Sequence, residues 1–376
     1  MIDLSRDFRR PDSIRGYSAA IHELCLKHDI KAGFMEVCGG HTHTIARYSL
    51  EQLLPESIRL IHGPGCPVCI LPKERIDHAV ILARRPGTIL VTTGDMIRVP
   101  GSGMSLEQAR AAGSDVRTVY SPLEIPEIAA ANSDKTVVYF AIGFETTTPS
   151  TALLVDRALS NDLKNLFFYT NHVLVPPVLE ALLADPEHRI SGFIAPSHVS
   201  AITGSDIYRP VAEKHHLPVV VAGFEPADVM ESVYMLVRQL AEGCSKVEIQ
   251  YARCVSPEGN RKAQALVEKY FTPEEEFNWR GPGKIPGSSL GLRKEFAFLD
   301  ARQVFAAELP EIHVQDHRLC ICAEILRGKK RPGDCKVFGT RCTPDSPVGS
   351  CMVSGEGACA AYYKYGRENE TNSALP

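Results

Sequence analysis

Three cysteines near the start of the chain have the spacing of a reactive site. Cys38 precedes a pair of glycines, and Cys66 and Cys69 form a Cys-x-x-Cys pair that follows another glycine. Such a pair, just before a predicted helix, is typical of a dithiol/disulfide couple or of half a metal site. The glycines allow the backbone to approach a bound group closely. His41 and His43 are expected to hydrogen-bond or to act as acid–base groups near Cys38 rather than as permanent metal ligands.

A second group of cysteines lies near the end of the chain. It comprises Cys320, Cys322, Cys335, Cys342, Cys351 and Cys359. Four thiolates on one compact lobe suit either an iron–sulfur cluster or a four-cysteine zinc site. Zinc sites usually contain closely paired cysteines, so the wide gaps after Cys322 favour a cluster. Cys320 and Cys322 are too close for both to bind one small cluster easily, so one is expected to be spare. Cys351 is expected to be a second spare or a nearby redox partner.

The composition argues against several classes of protein. The chain has 376 residues with 41 basic and 45 acidic side chains, a net charge of −4. Because there is no basic excess to neutralise phosphates, we expect no nucleic-acid binding. The longest apolar runs have the length of strands, so we expect no membrane span, and the charged N-terminus does not resemble a secretory signal. We therefore expect a cytoplasmic location, where 12 cysteines indicate metal binding or redox chemistry rather than structural disulfides.

The elements that must position these cysteines alternate between strands and helices. Short β-branched runs predict strands, and amphipathic runs between them predict helices, which indicates parallel sheets covered by helices on both faces. The predicted strands span residues 34–37, 58–61, 88–92, 116–120, 136–142, 165–170, 190–195, 219–222 and 246–254. The predicted helices span residues 73–84, 106–112, 147–159, 177–183 and 227–241.

Nine strands are many for one doubly wound sheet, so we predict an α/β protein with two Rossmann-like parallel-sheet lobes. The first lobe spans residues 1–133 and carries the first cysteine site, and the second spans residues 134–271. Residues 272–376 form an irregular segment and a small Cys-rich iron–sulfur lobe, which can pack back on the first two lobes. This last segment has few apolar runs, so a metal centre would help to order it.

Open α/β sheets place their ligands beyond the carboxyl ends of their strands. Cys38 ends the first predicted strand, and Cys66 and Cys69 follow the second, so their sulfurs meet at one edge if the two strands are neighbours. His172 and His198 also follow strands. Each either faces a cleft between the lobes or serves as a core or capping residue.

Four strings of the sequence carry a resemblance to a known family. They are VCGGHTH at 37–43, GPGCPVC at 63–69, GFETTTP at 143–149 and MVSGEGAC at 352–359. Together they resemble the HypD family of hydrogenase maturation factors over essentially the full length. Gly355 is a small departure, since a second Ser is expected there.

The resemblance implies a role in building the Fe(CN)₂CO unit of [NiFe]-hydrogenases. It implies two Rossmann-like lobes and a lobe that holds a [4Fe-4S] cluster. It also implies two partners, a HypC-type small chaperone and a HypE-type protein that donates cyanide as a thiocyanate derived from a thiocarbamate.

Carried onto this chain, the resemblance assigns roles to individual residues. Cys38 would bind the iron together with a partner thiolate, and Cys66 and Cys69, also candidate metal ligands, would be the redox dithiol. His41 and Thr42 would shape the pocket. The cluster would be held by Cys322, Cys335, Cys342 and Cys359, with Cys320 as the alternative to Cys322.

Soft thiolates suit an iron that carries cyanide and CO, and a dithiol supplies the two electrons that cyanide transfer from thiocyanate requires. Two other functions remain open. One is an iron–sulfur-linked thiol-disulfide reductase that acts on protein disulfides. The other is a small-molecule α/β enzyme with a purely structural zinc lobe.

Overall fold

The computed structural model describes residues 7–311, 314 and 316–372, with side chains up to residue 366. The strands of this part of the chain are β1 (Ala32–Glu36), β2 (Ile58–His62), β3 (Thr88–Thr93), β4 (Asp115–Val119), β5 (Thr136–Gly143), β6 (Leu166–Val173), β7 (Gly192–Pro196), β8 (Val219–Ala222), β9 (Val247–Ile249), β10 (Phe271–Pro273), β11 (Glu276–Trp279), β12 (Gly283–Pro286) and β13 (Ser289–Leu292).

The helices are α1 (Pro11–His28), α2 (Gly39–Arg47), α3 (Pro67–Ile70), α4 (Lys73–Arg84), α5 (Leu106–Ala111), α6 (Ile125–Ala131), α7 (Thr148–Ser160), α8 (Val175–Leu183), α9 (Ser197–Thr203), α10 (Arg209–His215), α11 (Pro226–Ala241), α12 (Arg261–Tyr270), α13 (Ala301–Val304), α14 (Cys322–Leu326) and α15 (Ala358–Asn372). None of these helices combines the length and the apolar character that crossing a membrane demands.

Two sheets dominate the fold. The first has the order β2-β1-β7-β8-β9, and all its strand pairs are parallel. The second has the order β10-β13-β6-β5-β3-β4, in which β3 to β6 are parallel and β13 and β10 are added antiparallel. A separate hairpin pairs β11 with β12. The predicted α/β class with two parallel-dominated sheets is confirmed.

The two sheets do not follow one another along the chain. The chain forms β1 and β2, leaves to build β3 to β6 in the second sheet, and returns to complete the first sheet with β7 to β9. The predicted limit at residue 133 therefore falls between strands of one sheet, since β3 pairs with both β4 and β5. Local alternation of strands and helices indicates parallel pairing, but it does not specify which strands are partners.

Each sheet has a point at which consecutive crossovers diverge, and such a point creates a crevice at the carboxyl ends of the strands. In the first sheet the chain leaves β1 toward β2 on one side and β7 toward β8 on the other. The crevice therefore lies between the loop at Cys38 and the loop at Ser197. In the second sheet the equivalent point lies between β3 and β5, where residues 94–98 and 144–147 follow the strands.

The Cys-rich segment shares the core of the sheets. One continuous apolar cluster includes Phe193 of the first sheet, Phe140 of the second, and Ile325 and Met352 of the C-terminal segment. These four residues are buried. The segment that was expected to depend on a metal centre for its order is thus also held by apolar packing against both sheets.

Glu145 is a buried carboxyl at the end of β5. Its Oε1 accepts the N–H of Val175 at 2.8 Å, which satisfies one of the free amides at the start of α8. Its Oε2 has no hydrogen-bond partner among the described residues. Burial raises the pKa of this carboxyl to about 7, because the apolar surroundings penalise the charged form.

Replacing Glu145 with Gln removes the ionisation and keeps an oxygen that can accept the Val175 N–H. Folding raises the pKa of this carboxyl from 4.5 to about 7. Its protonated form therefore stabilises the folded protein at pH values below 4.5, and this stabilisation is lost as the pH rises through about 7. The pKa difference corresponds to about 3 kcal/mol at full ionisation. We expect the free energy of unfolding of Glu145→Gln, relative to wild type, to rise by up to about 3 kcal/mol between about pH 4.5 and about pH 8.

Urea unfolding followed by circular dichroism measures this difference, and other groups that titrate in both proteins cancel. A stability difference that stays constant over the pH range would contradict the raised pKa of Glu145.

Candidate functional site

Cys38 lies at the end of β1 and immediately precedes α2, for which it is the N-cap residue. Its side chain is buried. Burial raises the pKa of the Cys38 thiol far above its usual range, and the carboxylate of Glu356 adds to the rise, while the backbone amides of Gly40 and His41 oppose it. A thiolate at this position therefore needs a compensating cation, which a bound metal ion supplies.

Cys66 and Cys69 form a disulfide pair across the start of α3, with a Cα–Cα distance of 5.2 Å. β1 and β2 are neighbours, which meets the condition for the three sulfurs to share one edge, so this pair lies beside the Cys38 loop. The N–H of Gly39 donates to the carbonyl oxygen of Gly65 at 3.2 Å. A Cβ atom on Gly65 would lie 2.2 Å from the backbone nitrogen of Cys38, so only glycine permits this approach. The three cysteines predicted from the sequence thus converge at one edge of the first sheet.

The buried side chain of Glu36 forms hydrogen bonds with the Cys38 loop. Oε2 of Glu36 accepts the N–H of Cys38 at 3.0 Å, and Oε1 accepts the hydroxyl of Thr42. Oε1 also lies 2.7 Å from Nδ1 of His62. Thr42, named from the sequence as a pocket residue, therefore acts on the site through Glu36. Glu36 and His62 are not predicted from the sequence. A carboxyl side chain at the end of an otherwise apolar strand nevertheless indicates a buried hydrogen-bond partner.

Two histidines lie near Cys38. Both ring nitrogens of His198, at the start of α9, lie 3.9 Å from the Cys38 Sγ atom. His41 is buried, and its Nε2 lies 3.0 Å from the carbonyl oxygen of Gly223. Burial lowers the pKa of each ring to about 4, and His198 further lowers that of His41, so both are neutral near pH 7. His172, the other candidate for the cleft, lies in β6 of the second sheet, and its Nε2 is 2.9 Å from the hydroxyl oxygen of Thr151 in α7.

An open cavity of about 420 Å³ lies beside the Cys38 loop. Gly40 and Phe224 line it from the first sheet, and Asp95 lines it from the loop after β3 in the second. Arg47 and Glu356 also line the cavity and add charges of both signs; Glu356 lies in the segment before α15. Loops that follow strands of both sheets thus line one shared space, and Gly40 brings the Cys38 loop to its wall.

The six C-terminal cysteines line a second cavity. Cys322 and Cys351 form a disulfide pair with a Cα–Cα distance of 6.4 Å. The other four, Cys320, Cys335, Cys342 and Cys359, are free thiols. Burial raises the pKa of the Cys359 thiol above its usual range, and the other three free thiols raise it further by mutual repulsion. These four thiols therefore face one another.

This pairing bears on the choice between Cys320 and Cys322. From the sequence, Cys322 is the expected ligand and Cys320 is the alternative. The structure pairs Cys322 with Cys351, and it leaves Cys320 facing the other free thiols. Sequence spacing does not distinguish these two cysteines, because the partner of Cys322 lies 29 residues further along the chain.

The four free thiols have the donor chemistry of an iron–sulfur cluster site. Within the described ranges, no three His, Cys, Asp or Glu side chains form a group that could hold a single metal ion. A cluster places its ligands further apart, because each sulfur binds a different iron atom. The space in this cavity is about 10 Å³, so a cluster would have to part the side chains. All four cysteines lie in loops or in the first turn of α15, where such a movement is least restricted.

Ser350 connects the two disulfide pairs. Its hydroxyl donates to the carbonyl oxygen of Cys69 at 2.8 Å, and its own carbonyl oxygen lies 4.0 Å from the Cys69 Sγ atom. The same hydroxyl lies 4.0 Å from the Sγ atom of Cys322. Ser350 thus lies between the Cys322–Cys351 pair, which lines the same cavity as the four free thiols, and the Cys66–Cys69 pair, which follows the glycine that packs on Cys38.

Comparison with known proteins gives a consistent result. The sequence profile described as HypD, hydrogenase formation hypA family, matches residues 12–366. The hydrogenase maturation factor HypD of Azotobacter vinelandii is 53% identical over 347 residues, which is 91% of each chain. The HypD protein of Rhizobium leguminosarum bv. viciae is 53% identical over 344 residues, 90% of this chain and 89% of the relative. That of Escherichia coli K12 is 45% identical over 339 residues, 90% of each chain. The chain therefore belongs to the HypD family of hydrogenase maturation factors.

Proposed function

We propose that the protein is the scaffold and redox protein on which the Fe(CN)₂CO moiety of the [NiFe]-hydrogenase active site is assembled. The iron is held by Cys38 together with a thiolate of a HypC-type chaperone. The observation that carries the proposal is the succession of cysteine sites, with Ser350 between the two disulfide pairs, that ends at the buried Cys38, whose loop lines an open cavity through Gly40. A cytoplasmic location accompanies this role, since the chemistry needs reduced thiols.

Cys38 is suited to bind the iron of this cargo. A soft thiolate is a good ligand for iron that carries cyanide and CO, and the positive charge of the metal favours loss of the thiol proton. His198 is neutral and lies 3.9 Å from the sulfur, so a ring nitrogen is available where that proton leaves. His41 is held by backbone carbonyls and shapes the same pocket, and its Nδ1 has no hydrogen-bond partner among the described residues.

Cys66 and Cys69 supply the two electrons for cyanide transfer. In the dithiol form they reduce a thiocyanate group, R–S–CN, presented by a HypE-type donor. The S–CN bond breaks, and cyanide passes to the iron. The donor sulfur keeps one proton as a thiol, the second proton is released, and Cys66 and Cys69 become a disulfide. The reactive pair is buried directly behind the Cys38 loop.

The oxidised pair is then reduced again through the C-terminal segment. Cys320, Cys335, Cys342 and Cys359 would hold a [4Fe-4S] cluster, which would supply electrons one at a time. Cys322 and Cys351 would take up two electrons and two protons and become a dithiol. Exchange with the neighbouring pair then returns Cys66 and Cys69 to the dithiol form and re-forms the Cys322–Cys351 disulfide. Ser350 keeps the two pairs in contact.

The alternative function, a thiol-disulfide reductase that acts on protein disulfides, is favoured by the two disulfide pairs in series. Against it, Cys66 and Cys69 lie directly behind the loop of Cys38, a residue that a reductase would not require. A reductase would also turn over free disulfides.

Replacement of Cys66 or Cys69 with Ala tests whether this pair, rather than the four free thiols, delivers the electrons for cyanide transfer. Because neither residue belongs to the group of four free thiols, we expect the iron content and visible absorption of the anaerobically purified protein to be unchanged. Hydrogenase activity in a strain that depends on the variant should fall to background, since cyanide transfer lacks its two electrons. The exposed Cys254, replaced with Ala, is the matched control and should support wild-type activity. Normal hydrogenase activity in either active-site variant would refute the redox role.

Single replacements distinguish Cys320 from Cys322 as a cluster ligand. We expect Cys320→Ser to lower bound iron to about one-tenth of wild type or less, because a ligand is lost. Cys322→Ser should retain about four irons per chain, because this residue is paired with Cys351. Iron, sulfide and zinc analysis with an absorption spectrum measures both. The opposite pattern would reassign the fourth ligand to Cys322, and zinc in place of iron would exclude the cluster.

A further inference from the structure

The helix that carries Cys359 also reaches toward Cys38. Cys359 lies in the first turn of α15, and Tyr362 follows three residues later on the same helix. The hydroxyl oxygen of Tyr362 lies 3.0 Å from Nε2 of His62, and this hydroxyl donates to Oε2 of Glu51 at 3.1 Å. The two rings meet edge to face, with 5.2 Å between their centroids.

His62 continues this connection into the core. Its Nδ1 lies 2.7 Å from Oε1 of Glu36, and Oε2 of Glu36 accepts the backbone N–H of Cys38 at 3.0 Å. Glu36 and His62 are both buried. Each ring nitrogen of His62 thus has a single described partner, so the loss of either partner leaves a buried polar atom unpaired and frees its neighbour to move.

We propose that Tyr362 is a positioning residue that couples the four-cysteine site to Cys38 through His62 and Glu36. The inference rests on the proposed function only in naming Cys38 as the iron-binding residue and Cys359 as a cluster ligand. The coupling acts through the positions of side chains. A group bound at Cys359 restrains the first turn of α15, and this turn restrains the Tyr362 hydroxyl. Through His62, the hydroxyl restrains the Glu36 side chain that accepts the Cys38 N–H. The Cys38 loop is then held firmly in its buried position only when the four-cysteine site is occupied.

A second contact between the same two parts of the chain is consistent with this coupling. A Cβ atom on Gly39 would lie 2.3 Å from Cβ of Glu356, so the segment that leads into α15 packs directly on the residue after Cys38. This contact remains when the Tyr362 hydroxyl is removed. The expected effect of removing that hydroxyl is therefore a partial loosening of the Cys38 loop rather than its loss.

Tyr365 provides a matched control on the same helix. Its hydroxyl lies 3.1 Å from Nε2 of His43, and the two rings also meet edge to face. His43 has no hydrogen bond to Glu36 in the described part of the chain. Tyr365→Phe therefore removes an equivalent hydroxyl from α15 without touching the connection to Cys38.

The test measures how fast iodoacetamide alkylates Cys38, followed by mass spectrometry of the peptide that contains it, in the full-length protein under anaerobic conditions. We expect Tyr362→Phe to raise the alkylation rate about 3- to 10-fold, because a looser loop exposes the buried thiol. His62→Gln, which breaks the same connection at its centre, should act in the same direction. Tyr365→Phe should stay within about twofold of wild type. Melting temperatures identify any variant that is globally unfolded.

A double-mutant cycle tests the link to the four-cysteine site. Cys359→Ser should also raise the alkylation rate of Cys38, and adding Tyr362→Phe to it should have little further effect, since both act through one connection. Adding Tyr365→Phe should likewise leave that rate unchanged. An unchanged rate in a folded Tyr362→Phe, an equal rise in Tyr365→Phe, or full additivity of Cys359→Ser with Tyr362→Phe would overturn the proposal.

These outcomes do not depend on hydrogenase activity. If the purified protein holds no iron, the proposed cofactor fails, whereas the contrast between Tyr362→Phe and Tyr365→Phe still decides whether Tyr362 positions Cys38.

Discussion

The close approach of two backbone loops is the constraint on which the site depends. Gly65 lies so near the amide of Cys38 that no side chain fits between them, and Gly39 donates a hydrogen bond back to Gly65. Parallel pairing of β1 with β2 brings both loops to the same edge of the sheet. Since the loop after β2 continues directly into Cys66, this contact holds Cys38 close to the Cys66–Cys69 pair. The other parts of the site, from His198 to Ser350, are arranged around it.

Much of the fold follows from local sequence patterns. All nine predicted strands of the two main sheets are present, because β-branched apolar runs bounded by turn residues leave few alternatives. The partners of these strands do not follow from the same patterns. β1 pairs with β7, which lies far along the chain, and β5 separates β3 from β6. Such pairing depends on long-range packing and crossover direction, which no short window of sequence contains.

Some residues of the candidate site can likewise be predicted from local sequence, and others cannot. Cys38, Cys66 and Cys69 are recognisable because glycines and strand ends surround them, and the six C-terminal cysteines are identifiable as a group. Glu36 and His62 escape detection, since each is an isolated polar residue in a strand and their pairing appears only when β1 and β2 are side by side. Cys320 and Cys322 are indistinguishable by spacing. Only the fold shows that Cys322 lies against Cys351.

The split first sheet has a consequence for biosynthesis. The ribosome must produce the four parallel strands β3 to β6 of the second sheet before β7 and His198 emerge to complete the first, a delay on the order of ten seconds at usual translation rates. During this interval Cys38, Cys66 and Cys69 belong to an incomplete pocket whose β1 edge is unpaired. The nascent chain therefore exposes Cys38, Cys66 and Cys69 to the surrounding solution well before β7 and His198 can cover them.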